Sequence, residues 1–259
     1  MISVIIPAYN CKNTIVRCVN SVLSQTAFEY IREIIVINDG STDDTLIELE
    51  KNFKNNIFVK IYSKKNGGVS SARNYGIRKS CANWIALLDS DDIWVENKIE
   101  KQVNIIKNHD DILFLGTGRN NEMVKIGRKV TDNIYEISTK LMLFKSWPHT
   151  STALIRKDVI MEAGMYDERR FHAEDGQLWL KILKKHKIYY ISETLEIAGD
   201  YKKTFGEKGL SANLSEMHRG NVLNIKECYH RKQISIFWLI VFLFYEDVKF
   251  IRRKVLSRK

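Results

Sequence analysis

Ile85-Ala86-Leu87-Leu88-Asp89-Ser90-Asp91-Asp92 runs four apolar residues straight into three closely spaced carboxylates. An apolar run this short reads as a buried strand, although periodicity by itself leaves a helical piece open. Carboxylates crowded at a strand end repel one another unless positive charge lies among them. A divalent cation with oxygen ligands relieves that repulsion, and a diphosphate commonly completes its coordination. In extended chain, positions i and i+2 point the same way, so Asp89 and Asp91 are placed to share one cation while Ser90 faces elsewhere. The plain structural alternative is an acidic turn before a helix beginning near Glu96, with Asp92 as a cap.

Upstream, strand and helix signals alternate. Ile2 to Ile6 is an apolar run stopped by Pro7. A helix follows from Asn13, with Ile15, Val19, Val22 and Leu23 on one stripe. Ile34 to Ile37 forms a second run ending in Asn38-Asp39-Gly40, and Ser41-Thr42-Asp43-Asp44 supplies capping side chains for a helix through Phe53. Ile57 to Ser63 is a third, more alternating strand, then a Lys-Asn-Gly-Gly loop leads into a small-residue helix over 70–79. This alternation predicts a mostly parallel central sheet flanked by helices. Three strands end in polar or acidic clusters at residues 7–10, 38–40 and 89–91. Ligands of open α/β sheets bind beyond the carboxyl ends of the strands, so these clusters are expected in one crevice. The glycine-rich dinucleotide fingerprint and the phosphate loop with Lys-Ser/Thr are both missing.

Composition sets outer bounds. A chain of 259 residues suits one large domain, or one domain with an appendage. Hydrophobic residues make up 44% and charged residues 28%, and there are only two prolines, which together describe a globular chain without a disordered linker. A formal charge of +10 suits nucleic acid, an anionic membrane or phosphorylated substrates alike. No groove-reading motif accompanies it, so nucleic acid is not an expected partner. Cys11, Cys18, Cys81 and Cys228 fall at no metal or redox spacing, which reads as free thiols in a reducing compartment. The N-terminus has no basic region and its apolar run meets Pro7 too soon for a signal peptide, giving a cytoplasmic expectation.

Four segments together resemble the family 2 inverting glycosyltransferases: Val4-Ile5-Ile6-Pro7-Ala8-Tyr9-Asn10, Val36-Ile37-Asn38-Asp39-Gly40-Ser41-Thr42-Asp43, Asn66-Gly67-Gly68-Val69-Ser70-Ser71-Ala72-Arg73-Asn74 and Leu88-Asp89-Ser90-Asp91-Asp92. They occur in the family's order and spacing. The resemblance implies the GT-A fold, a nucleotide-diphosphate sugar donor (UDP-linked by expectation) and Mn2+ or Mg2+. Position by position, it implies that Pro7, Ala8, Tyr9 and Asn10 line the base and ribose pocket, with the Tyr9 ring against a flat base. Asp39 accepts a hydrogen bond from the base, its plain alternative being a turn residue before Gly40. Gly68 and Arg73 help hold the donor, guanidinium forks being suited to phosphate oxygens; the alternative for Arg73 is a surface ion pair. Asp89, Ser90 and Asp91 match the family's D-x-D, with Asp91 as metal ligand and Asp89 shared between metal and sugar.

Residues 1–110 thus form the expected nucleotide-sugar half and 111–210 the acceptor half. A helix is expected over 96–107, a strand over 112–115, acceptor-facing loops over 116–138 and a strand over 194–198. Sugar transfer needs a base to take the acceptor proton. The family places it as the Asp of an acidic pair at a helix start, which Glu174-Asp175 matches, with Asp175 the base and Glu174 supporting. Adjacent carboxylates raise one another's pKa when desolvated, although acids at a helix N-terminus also serve the dipole. His149 and His172 are weaker candidates for the metal or diphosphate. Residues 201–211 are basic and glycine-punctuated, a candidate flap with Lys202 facing the diphosphate.

Residues 211–259 read as a helical extension. Its apolar block 236–245 is too short to cross a bilayer, which takes about 20 residues. Lys249, Arg252, Arg253, Lys254, Arg258 and Lys259 follow, so the tail reads either as an anchor on an anionic membrane or as a helix packed on the domain. The expected function is inverting transfer of one sugar to a glycan hydroxyl, lipid-linked, in surface-polysaccharide assembly (O-antigen, capsule or exopolysaccharide). A catalytically silent nucleotide-sugar-binding module and a sugar nucleotidyltransferase are the alternatives. The second would need a glycine-rich phosphate loop near the N-terminus, and none is present.

Overall fold

The computed structural model describes residues 1–122, 125–199 and 212–256. The expected flap with Lys202 and the last basic residues, Arg258 and Lys259, lie outside them. The first half alternates β1 (Ile2–Ala8), α1 (Ile15–Leu23), β2 (Ile31–Asn38), α2 (Thr45–Phe53), β3 (Val59–Ser63), α3 (Val69–Lys79) and β4 (Trp84–Leu87). These strands lie parallel in the order β3-β2-β1-β4. Val4 and Ile6 pack into one core with Ile15, Val19 and Val22, while Ile5 packs into a second with Ile37 and Ile77. Both faces of β1 are therefore covered by helices, which is why its sequence is apolar without alternation. The close approach of α3 is permitted by Gly76, where a Cβ would come within 2.5 Å of Ile5 Cγ2. Leu88 continues from β4 with its N–H on the Ile5 carbonyl, and the chain then turns, Asp92 N–H reaching the Asp89 carbonyl at 3.1 Å. The apolar run that opened the sequence is a strand.

Beyond β4 come β5 (Ile93–Trp94), α4 (Lys98–Asn108), β6 (Phe114–Arg119), β7 (Arg128–Lys129), β8 (Ile134–Ile137), α5 (Thr139–Phe144), β9 (Leu154–Arg156), α6 (Lys157–Glu162), α7 (Glu174–Ile182) and β10 (Ile188–Ile197). Here the sheet is mixed. β9 runs antiparallel between β4 and β6, β10 is parallel to β6, and β8 closes antiparallel on β10. The parallel expectation thus holds through the first half and again between β6 and β10, with antiparallel strands beside them.

Residues 116–138, expected as loops, contain most of β6 and all of β7 and β8. Gly116 and Gly118 carry no apolar signal because neighbours occupy the space that side chains there would need. A Cβ on Gly116 would lie 2.3 Å from Pro148, and one on Gly118 2.6 Å from the Glu193 carbonyl oxygen.

The C-terminal extension is a hairpin of α8 (Leu214–His230) and α9 (Ile236–Leu256). Glu246, buried in α9, is tied to Asn221 of α8 at 2.9 Å, and Phe242 packs edge-on against Phe144 of α5. One face of α9 is thus docked on the domain. Among the described residues, no helix is long and apolar enough to cross a membrane.

Candidate active site

The carboxyl ends of β1, β2 and β4 open on one side of the sheet, as the parallel order requires. Pro7 and Ala8 are buried at the end of β1, and Tyr9 projects beyond them, half exposed. Asn10 takes a left-handed backbone (φ 49°), and its Oδ1 accepts from Thr42 N–H at 2.8 Å. It thereby ties the loop after β1 to the loop after β2. Asp39 is buried and folds the next loop onto itself. Its carboxylate accepts from Gly67 N–H at 3.1 Å and Gly68 N–H at 2.8 Å, and pairs with Lys64 Nζ at 2.5 Å. Gly68 has φ 85°, a conformation that side chains rarely adopt, and a Cβ there would meet the Phe171 ring at 3.0 Å. Phe171 itself is largely exposed at this rim.

Arg73, in the first turns of α3, is buried rather than open to a ligand. Its Nη2 lies 2.7 Å from Asp89 Oδ1 and its Nη1 2.9 Å from Glu174 Oε1, with its guanidinium 5.2 Å from the centre of the Tyr166 ring. Burial opposes the charge, but Asp89, Tyr166 and Glu174 outweigh it and hold the arginine well above its ordinary pKa. The fork expected on the donor phosphates is committed to two of the protein's own carboxylates. Burial also pushes Glu174 up to about 7, against the pull of Arg73. Glu174 therefore faces inward as a brace. Asp175, beside it, is partly exposed, and its Oδ2 accepts from Thr150 Oγ1 at 3.2 Å.

Asp89, Ser90 and Asp91 sit at the crevice, Asp91 exposed and the other two half-buried. Asp92 departs from the capping expectation. The N-cap of α4 is Asn97, whereas Asp92 is buried beneath the acidic turn. Ser151 Oγ accepts from Asp89 N–H at 3.0 Å and donates to Asp92 Oδ2 at 2.5 Å, and Gly199 N–H reaches Asp92 Oδ1 at 3.1 Å. Burial, with Asp89 and Asp91 nearby, pushes Asp92 up to about 7. Behind it, Arg119 Nε lies 3.5 Å from buried Glu196, and Arg119 Nη1 lies 3.4 Å from His149 Nδ1. Burial and the charges of Arg119 and Lys145 drive His149 down to about 3, so its ring is neutral. His172 is half-buried, on the loop that leads into α7.

Thr150, Ser151, Arg119 and Glu196 carry no motif and were not singled out by sequence reasoning. The loop that leads into α7 is held from behind by α8. Asn224 Nδ2 donates to the Ala173 carbonyl at 2.9 Å and Arg170 Nη1 to Asn224 Oδ1 at 3.0 Å, while a Cβ on Gly220 would lie 2.7 Å from the His172 carbonyl oxygen.

Among the described residues no three or more His, Cys, Asp or Glu side chains are grouped to hold a metal by themselves. Mg2+-type sites ordinarily use one or two carboxylates plus substrate phosphates, so Asp91 with the second oxygen of Asp89 fits that requirement.

This arrangement accords with the comparison with known proteins. The family model "Glycosyl transferase family 2" matches residues 3–164. The chain belongs to glycosyl transferase family 2. An uncharacterized glycosyltransferase of Rickettsia typhi is 34% identical over 205 residues, covering 75% of this chain and 62% of that protein. A chondroitin synthase of Pasteurella multocida is 32% identical over 233 residues, covering 89% of this chain but 20% of the synthase. The chain spans less than two thirds of the length of these family 2 relatives. Among solved structures, S. aureus TarS in complex with UDP-GlcNAc superposes with a TM-score of 0.71 at 22% identity, covering 94% of this chain and 72% of TarS. The Pyrobaculum calidifontis mannosyltransferase PcManGT, in complex with GDP-Man and Mn2+, gives 0.66 at 14% identity, covering 95% of this chain and 73% of PcManGT. These establish the GT-A glycosyltransferase fold for this family 2 chain.

Proposed function

We propose that the chain is an inverting glycosyltransferase that moves one sugar from a nucleotide-diphosphate sugar, UDP-linked, to a hydroxyl of a lipid-linked glycan acceptor in surface-polysaccharide assembly. The observation that carries this reading is the Arg73 bridge between Asp89 and Glu174, which fixes the acidic end of β4 against the acidic start of α7. A donor-binding acid cluster and a base are thereby held in one frame. The UDP-GlcNAc and GDP-Man complexes of the solved neighbours support a sugar-nucleotide donor. The synthase names among the relatives support a polysaccharide product.

In this reading the loops around Pro7–Asn10, Asp39 and Gly68 receive the nucleoside, with Tyr9 against the base. Asp91 and Asp89 would hold Mg2+ or Mn2+, which when bound supplies counter-charge to the diphosphate. Asp175, oriented by Thr150, takes the proton of the acceptor hydroxyl as its oxygen forms a bond to the anomeric carbon. The bond from that carbon to the diphosphate oxygen breaks on the opposite face, inverting the configuration. The enzyme would work in the cytoplasm, on the inner face of the membrane through its C-terminal tail.

Screening nucleotide sugars for metal-dependent binding and turnover tests the class. Asp175→Asn is expected to lower transfer by about 10²–10⁴-fold while donor affinity stays near that of the unaltered chain. Retained transfer would remove Asp175 from the role of base. A silent module would bind donor without any turnover.

A further inference from the structure

At the turn between α8 and α9 lies an open groove of about 670 Å³. Lys140, His230 and Lys232 line it, together with the Ser235 hydroxyl and the rings of Tyr229 and Trp238, and no carboxylate is among the lining residues. Lys140 Nζ stands 4.3 Å from the centre of the Trp238 ring. The Ser235 carbonyl accepts the first helical hydrogen bond of α9 from Leu239 N–H at 2.9 Å, and Ser235 and Trp238 both line the groove, so the positive end of the helix dipole starts there. Two lysines, a histidine and a helix start, with no acid among the lining residues, suit a phosphate ester.

The groove opens where a second feature begins. The side of α9 turned away from the domain carries Phe237, Ile240, Phe244, Val248, Ile251 and Val255, each between 46 and 71% exposed. Their spacing of three and four residues makes one apolar stripe along the helix. Arg252 and Lys254 flank it near its end. A stripe of large apolar side chains beside cations matches an interfacial helix on anionic lipid. A second copy of the chain is a poorer occupant, because parallel pairing would bring Arg252 and Lys254 of the two stripes together and antiparallel pairing would bring them against the Lys140 and Lys232 of the partner's groove. An indole at the edge of such a face is suited to the headgroup level.

We propose that the α8–α9 groove binds the phosphodiester headgroup of an anionic phospholipid while the outer stripe of α9 rests in the acyl boundary. This rests on the membrane reading given above and adds to it a defined headgroup site. A headgroup bound beside the stripe would fix the rotation of α9, and with it the orientation of the crevice relative to the lipid surface.

The test is sedimentation of the full chain with phosphatidylcholine vesicles, with and without phosphatidylglycerol. The unaltered protein is expected to pellet with the phosphatidylglycerol vesicles alone. Lys140→Gln with Lys232→Gln should weaken that binding about thirtyfold. Lys51→Gln with Lys54→Gln, an equal change of charge on α2, should weaken it only a fewfold. Phe237→Ser with Phe244→Ser should abolish pelleting, and all variants should keep donor nucleotide affinity. Equal losses from the two lysine pairs would overturn the groove while leaving the membrane reading intact. Binding of glycerol 3-phosphate in the absence of vesicles that Lys140→Gln with Lys232→Gln abolishes, with vesicle binding unchanged in that variant, would show a site for free phosphate esters and overturn the lipid assignment. A dimer in light scattering that Phe237→Ser with Phe244→Ser dissolves would assign the stripe to a second copy and overturn it as well. Failure of the unaltered chain to pellet with any vesicle would remove the membrane reading itself.

Discussion

Asp89 and Glu174 lie on opposite arms of one guanidinium, 2.7 and 2.9 Å from the two terminal nitrogens of Arg73. One acid ends a strand of the first half and the other starts a helix of the second, so a single buried side chain sets the distance between the two ends of the crevice. Lysine offers a point charge and cannot span both carboxylates. Arg73→Lys is therefore expected to lower kcat/KM on the order of a hundredfold through misplacement of Asp89 and Asp175. Arg73→Leu leaves two acids without a counter-charge and should cost about 3–5 kcal/mol in urea unfolding. Turnover of Arg73→Lys near that of the unaltered chain would show that the bridge does not set the site.

Thr150 donates to Asp175, with Oγ1 3.2 Å from Oδ2. Thr150→Val keeps the shape and removes the hydrogen bond. If Asp175 is the base, loss of that orientation should reduce kcat about tenfold with donor KM unchanged, the worth of one hydrogen bond to a charged group. An effect on KM alone would place Thr150 in donor binding instead.

The first half was legible because its strands are covered on both faces. Runs such as Ile34–Ile37 have no other use, and each ends in the polar residues that open on the crevice. The acid pair at Glu174-Asp175 was legible through the motif it matches. The strand expected over 112–115 marks the start of β6, but glycine hid its continuation, since Gly116 and Gly118 take their identity from Pro148 and Glu193, residues remote in the chain. Arg73 was found but not its partners, because local sequence cannot show whether a fork meets a phosphate or two carboxylates. Thr150 and Ser151 were invisible for the same reason. Their partners Asp175, Asp89 and Asp92 are reached only through the tertiary fold.

Helix α8 begins in the segment set apart by sequence as an extension, yet it supports the loop that leads into α7. Asn224 accepts from Arg170 and donates to the Ala173 carbonyl, and Ala173 holds a left-handed φ of 55° immediately before Glu174. Asn224→Ala should destabilise the chain by about 1–3 kcal/mol, the cost of leaving buried partners unsatisfied. It should also lower kcat more than donor affinity. Hydrogen exchange at residues 170–176 is the direct measurement, and unchanged protection there would separate α8 from the site.

Glu33 gives the fold a pH signature away from the crevice. It is buried at the start of the sheet, accepting from Ser3 Oγ at 2.7 Å and Cys81 N–H at 2.7 Å and pairing with Lys60 Nζ at 2.6 Å. Burial works against its charge, but Lys60, Cys81 and Ser3 outweigh burial and bring its pKa from 4.5 down to about 2. A carboxylate with a depressed folded pKa contributes stability that is complete above its unfolded value. That stability is lost as pH falls through the folded value. The contribution is on the order of 2 kcal/mol after allowance for the half-exposed Lys60. The stability gap between the unaltered chain and Glu33→Gln should therefore be full near neutrality, shrink below pH 4.5 and close towards pH 2. Urea unfolding of both proteins across that window measures it, and a gap that does not change with pH would mean that Glu33 acts there through packing rather than charge.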